Sequence, residues 1–139
     1  MTLAVGQEPK GEMMTEVRML AMSEPVELDA DTLEQLYEAL GDAAAEDVVC
    51  RAMEELAVKL AQADRLYRSG QIGEMRKVVR SMGAIAKQIG MIRLAVVAED
   101  LVGCVEAQDS VALAAVLQRL MRTGEGSLTE IWQLQDLSI

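Results

Sequence analysis

The chain has 139 residues, 51% of them hydrophobic, which fits one domain with a substantial apolar core and excludes disorder throughout. Aromatic residues make up only 2% and Phe is absent, so the core has to be built from Leu, Val, Ile, Ala and Met, which suits helices packed side by side. The net charge of −10 argues against nucleic acid and anionic membrane surfaces as partners, and is compatible with a basic or Arg-rich protein surface.

Residues 1–28 read as an arm, punctuated by Gly6, Pro9, Gly11 and Pro25. Between its prolines, Met13-Met14-Thr15-Glu16-Val17-Arg18-Met19-Leu20-Ala21-Met22 has the pattern of a short helix with an apolar stripe. It is open to reading as a loose arm or as a docking segment, because Met side chains adapt to varied surfaces. The body, residues 29–139, opens with a helix near Asp31. Asp31 and Glu34 have capping-box spacing, Leu33, Leu36, Tyr37 and Leu40 recur at helical spacing, and Gly41-Asp42 ends the element. A second helix is expected over residues 43–68, with Val49, Met53, Leu56, Leu60, Ala63 and Leu66 or Tyr67 inward and Ser69-Gly70 as its stop.

A third helix is expected over 72–89, with Met75, Val78 or Val79, Met82, Ile85 or Ala86 and Ile89 inward and Gly90 as terminator. The fourth, over 92–107, is apolar across a wide face (Leu94, Val97, Ala98, Leu101, Val102, Val105) and should be the most buried. Asp109 or Ser110 caps a fifth, carrying Leu113, Val116, Leu117, Leu120 and Met121. Gly124 and Gly126 weaken it before the pattern resumes at Leu128, Ile131, Trp132 and Leu134, so either a kinked continuation or a separate helix follows. No strand-like alternation occurs. The expected fold is all-α: an antiparallel four-helix bundle with a short leading helix and a carboxy-terminal helical extension.

Cys50 and Cys104 lie in apolar helical stretches without CxxC spacing and read as buried thiols in a reducing compartment, not as a disulfide or metal site. No metal site or cofactor is expected. No apolar run reaches the roughly 18 residues of a membrane span, and no basic region followed by an apolar core opens the chain, so a cytoplasmic location is expected.

Residues 70–91, GQIGEMRKVVRSMGAIAKQIGM, resemble the signature helix of histidine-containing phosphotransfer (HPt) domains. That family shows a Gly-Asp turn, an apolar residue, Leu-Arg-Arg, two small or apolar residues, then His-Ser-Leu-Lys-Gly-Ser-Ala and a Leu-Gly-Ala ending. Met75, Arg76 and Lys77 take the Leu-Arg-Arg places. Ser81, Met82, Ala86, Ile89 and Gly90 match Ser, Leu, Ala, Leu and Gly. The segment from Leu33 to Asp42 is similar to the family's leading helix, and Leu94 with Leu101 to its next bundle helix, so the resemblance covers about residues 29–122. Four positions depart from it. Arg80 stands where the phosphorylated His belongs, Gly83 where the family has Lys, Ala84 where it has Gly, and Val102 near a frequent Glu.

The whole chain has no His, so no shifted alignment restores the phosphoacceptor. A guanidinium stays protonated and has no lone pair with which to attack phosphorus. The resemblance therefore implies a non-enzymatic, HPt-like interaction module of bacterial two-component (phosphorelay) signalling, a pseudo-phosphotransferase that binds a response-regulator receiver domain or a histidine kinase without accepting phosphate. Arg76, Arg80 and Lys87, spaced i, i+4 and i+11, form one basic ridge flanked by Lys77, with Arg80 about 200° round the helix from Met82. That ridge, with Gly83 and Ala84 beside it, is the candidate partner-binding surface, because an Arg can pair bidentately with the carboxylates of an acidic receiver pocket. A mid-helix Gly83 costs about 1 kcal/mol relative to Ala, which close approach of another backbone would offset, either a partner's or one inside the bundle. Ser81 has no base to activate it. Two alternatives remain: a structural or oligomerising bundle, a homodimer included, and a small all-α enzyme, which would need charged residues gathered in the bundle interior.

Overall fold

The computed structural model describes residues 28–137, together with the backbone but not the side chains at positions 132 and 134–137. The expectations for the Met-rich arm, and for the side chains of Trp132 and Leu134, fall outside the described residues. Five helices follow in order: α1 (Ala30–Leu40), α2 (Asp42–Arg68), α3 (Ile72–Gln88), α4 (Ile92–Glu106) and α5 (Ser110–Leu137). The described chain is all-helical, apart from one antiparallel bridge between Leu28 and Met91. None of its helices is long and apolar enough to cross a membrane.

The helix ends are set by local chemistry. The cap of α1 is Asp29, two residues before the expected Asp31: its Oδ1 accepts from the amides of Asp31 and Thr32, and its Oδ2 accepts from the Thr32 hydroxyl. Asp31 instead sits in the first turn, where a carboxylate faces the positive end of the helix dipole. Gly41, Gly70 and Gly90 carry positive φ in the turns between helices, and at Gly90 the requirement is twofold. Its φ is +80°, and a Cβ there would lie 2.8 Å from the Asp29 carbonyl oxygen. Asp29 N donates to Gly90 O at 2.7 Å, so the bare glycine lets the backbone at Leu28 and Asp29 pass against the α3–α4 turn. Asp109 caps α5 through its Oδ1, which accepts from Ala112 N.

Packing runs α2 on α3, α3 on α4, α4 on α5 and α5 back on α2, with α1 laid against α2. Between them lie Leu56, Leu60, Met75, Val79, Met82, Leu94, Val97, Leu101 and Leu120, each with little or no exposed surface. On α3 the inward choices resolve to Val79 and Ala86, while Val78 and Ile85 are half-buried. On α4, Leu94, Val97, Ala98 and Leu101 are buried; Val102 and Val105 only partly so. Helix α1 buries no residue completely and rests Leu33, Leu36 and Tyr37 against the core. Cys50 and Cys104 are half-buried, less enclosed than their apolar surroundings suggest.

Helix α5 runs without interruption through Gly124 and Gly126. The reason lies across the interface. A Cβ at Gly124 would come within 2.6 Å of Leu60 Cδ1, so the glycine seats α5 closely against α2. That packing offsets the roughly 1 kcal/mol by which Gly disfavours a helix interior.

Candidate functional site

Helices α3 and α4 are joined by a turn of three residues, which sets them antiparallel with adjoining outer edges. The expected basic ridge lies along the α3 edge. Arg80 and Lys87 are well exposed, with 62% and 67% of their side-chain surface accessible, while Arg76 is half-buried at 29%. Ala84 is exposed beside them, and Lys77 points away to pair with Glu74 on its own helix at 3.3 Å.

The ridge is not an isolated field of positive charge. Helix α4 meets it with carboxylates. Glu106 Oε2 accepts from Arg76 Nη2 at 2.6 Å and lies 3.7 Å from Arg80 Nη2, and Glu99 pairs with Lys87 at 3.3 Å. The Arg76 hydrogen bond, with the charges of Arg76 and Arg80, holds the Glu106 carboxyl below its ordinary pKa. Both long-range pairs share one antiparallel register: seven residues back along α3, from Lys87 to Arg80, correspond to seven forward along α4, from Glu99 to Glu106. That spacing is two helical turns, about 10.5 Å.

Between the two charged pairs lies a groove of about 440 Å³. Its floor is small and apolar, made by Val79, Gly83, Ala84, Ala98, Val102 and Gly103, and its rim is Arg80 and Lys87 on α3 with Glu99 and Glu106 on α4. Gly83 forms part of this floor and is buried, where a Cβ would meet Ala98 Cβ at 3.4 Å. Gly83 therefore packs toward α4 inside the molecule and does not open a space on the ridge.

The structure thus brings Arg80, Gly83, Ala84 and Lys87 to one groove, sets Arg76 outside its lining as a partner of the rim residue Glu106, and leaves Lys77 off it. Sequence reasoning missed Glu99 and Glu106. Their i, i+7 spacing, matching that of Arg80 and Lys87 on the preceding helix, is the signal that two antiparallel neighbours would share charges. Among the described residues, no group of three or more Cys, Asp or Glu is placed to hold a metal ion. Arg51 is exposed and paired with Asp47 on its own helix. Arg93 is only partly exposed, with its Nε buried. No family model matches the chain, and no curated protein or solved structure shows significant similarity to it.

Proposed function

We propose that this chain is a non-catalytic, HPt-like interaction module of bacterial two-component signalling, which engages a receiver domain or a histidine kinase through the α3 ridge without taking up phosphate. The observation that carries the reading is the position of Arg80. In the alignment of residues 70–91 it occupies the phosphoacceptor place, and it stands exposed at the rim of the α3–α4 groove. A guanidinium there binds carboxylates and cannot be phosphorylated in a histidine's manner. The cyclic packing of α2 to α5, read as an antiparallel four-helix bundle led by α1 and extended by the second half of α5, supports the same assignment.

The test has two arms. Incubated with a phosphorylated receiver or an active histidine kinase, the protein should remain unlabelled, and an acid-labile, base-stable phosphate on the chain would overturn the reading. In calorimetry against receiver domains and kinases, wild type should bind, and Arg80→Glu should weaken binding over a hundredfold while leaving helicity intact. A like charge set against an acidic, partly desolvated pocket costs several kcal/mol. Absence of binding to every receiver and kinase of the cell, or unchanged affinity in a folded Arg80→Glu protein, would leave a structural bundle as the better account.

A further inference from the structure

Helix α5 has a weak stretch at its middle. Its buried positions run Leu113, Leu117 and Leu120, then Thr123, Gly124 and Ser127, and then Ile131. The apolar stripe that holds a helix to its neighbours is therefore interrupted for about two turns. Both hydroxyls in the gap are buried and, among the described residues, have no hydrogen-bond partner. A buried hydroxyl in that position has given up water without gaining a bond in return. Gly124 and Gly126, in the same stretch, bring the backbone freedom that disfavours a helix interior. One turn on, the Thr129 hydroxyl donates to the Glu125 carbonyl at 2.9 Å, a back-bond that competes with the helix's own ladder and favours bending.

The same stretch is where α5 changes neighbours. Arg119 pairs with Asp100 at 3.6 Å, which sets the antiparallel register of α5 on α4. Eight residues back along α4 from Asp100 is Ile92, its first residue, and eight forward along α5 from Arg119 is Ser127. Helix α5 therefore outruns α4 at about Ser127. Beyond that point its described side chains meet α2 across a cleft. Leu128 and Thr129 form one wall, and Cys50, Met53, Glu54 and Ala57 the other, around a cavity of about 420 Å³.

We propose that α5 is hinged at residues 123–127, and that residues 128–137 form a strap that releases from α2 as a unit while residues 110–122 stay packed on α4. The close seat of Gly124 on Leu60 is the pivot, and Ile131 is the buried anchor that holds the strap down. Release lays open the α2 wall of the cleft. A strap of ten residues is too short to remain helical alone, so it loses its helical hydrogen bonds when it lifts. The hinge does not rest on the signalling reading.

Hydrogen exchange on the full-length chain, followed residue by residue with helicity measured alongside, tests the hinge. The amides of residues 128–137 should exchange at one common rate, at least about tenfold faster than those of residues 114–121, with the step at 123–127. Rates that grade smoothly inward from the carboxy-terminal end would show ordinary fraying and overturn the proposal. Thr123→Val combined with Ser127→Ala removes both hydroxyls and should slow exchange of 128–137 at least about fivefold. Ile131→Ala loosens the anchor and should speed it at least about tenfold, while residues 114–121 and α3 keep their rates. Two further results would make α5 a single cooperative unit without a hinge. One is unchanged or faster exchange, or lost helicity, in the first variant; the other is equal acceleration of residues 114–121 by Ile131→Ala.

Discussion

At the scale of single residues, two glycines, one inside α3 and one just beyond its end, have opposite roles. Gly83 is helical, and a Cβ there would make an ordinary contact with Ala98 at 3.4 Å. Gly83→Ala should thus retain the fold and gain up to about 1 kcal/mol from helix propensity. Gly90 sits at φ +80° with the Asp29 carbonyl 2.8 Å from the position of a Cβ. Gly90→Ala should cost about 1–2 kcal/mol for the left-handed backbone alone, with more from displacing Asp29. Denaturant unfolding of the pair checks both signs; a destabilised Gly83→Ala would mean that α3 and α4 are packed more tightly than this distance implies. Both glycines were visible in the sequence as helix-weakening residues. Only Gly90's role as a terminator was legible there, because a turn is encoded locally, whereas what Gly83 touches depends on a residue fifteen positions away.

At the scale of elements, helix boundaries followed from caps and turn glycines to within a residue or two, and at the start of α1 only the capping residue differs. There the expected Asp31 cap gives way to Asp29, whose extended backbone and two carboxylate oxygens reach the first free amides. Two carboxylates now tie elements together. The Thr32 hydroxyl, followed by the amides of Thr32 and Asp31, keeps Asp29 below its ordinary pKa, and Arg76 does the same for Glu106. A carboxyl whose folded pKa is depressed contributes stability above its unfolded value and loses it as pH falls through the folded value. Acidification below the usual carboxylate range, about pH 4, should therefore weaken the α1 cap and the α3–α4 clip together. Exchange protection of α1 and of the α3–α4 edge, followed from pH 6 to pH 3, should fall before that of Leu56 and Leu101. Glu106→Gln should remove the acid-sensitive part at the α3–α4 edge and leave that of α1 in place.

At the scale of the whole molecule, the apolar residues of α2 to α5 converge on one core, with Leu101 fully buried within it. Leu101→Ala should cost roughly 2–5 kcal/mol, the range for a buried leucine whose cavity only partly collapses. Thermal unfolding measures this directly, and an unchanged melting temperature would contradict the placement of α4's inner face. Charge is distributed more evenly along the α3–α4 edge than a net −10 suggests. Arg76, Arg80 and Lys87 are balanced locally by Glu99 and Glu106, so a binding partner must compete with these contacts. Exposed pairs of this kind contribute little individually, roughly 0–1 kcal/mol, so such competition is feasible.

The helical class, the order of five helices, most inward positions and the absence of any histidine follow from the sequence by itself. Each of these rests on identity or on a 3.6-residue period, and both are local. Whether α5 continues through Gly124 and Gly126, that Gly83 faces Ala98, and that Glu99 and Glu106 close the basic ridge into a groove were decided only by the tertiary structure. These depend on the register between neighbouring helices, which side chains such as Leu60 and Ala98 set by packing across an interface; that register leaves no period of its own in either helix.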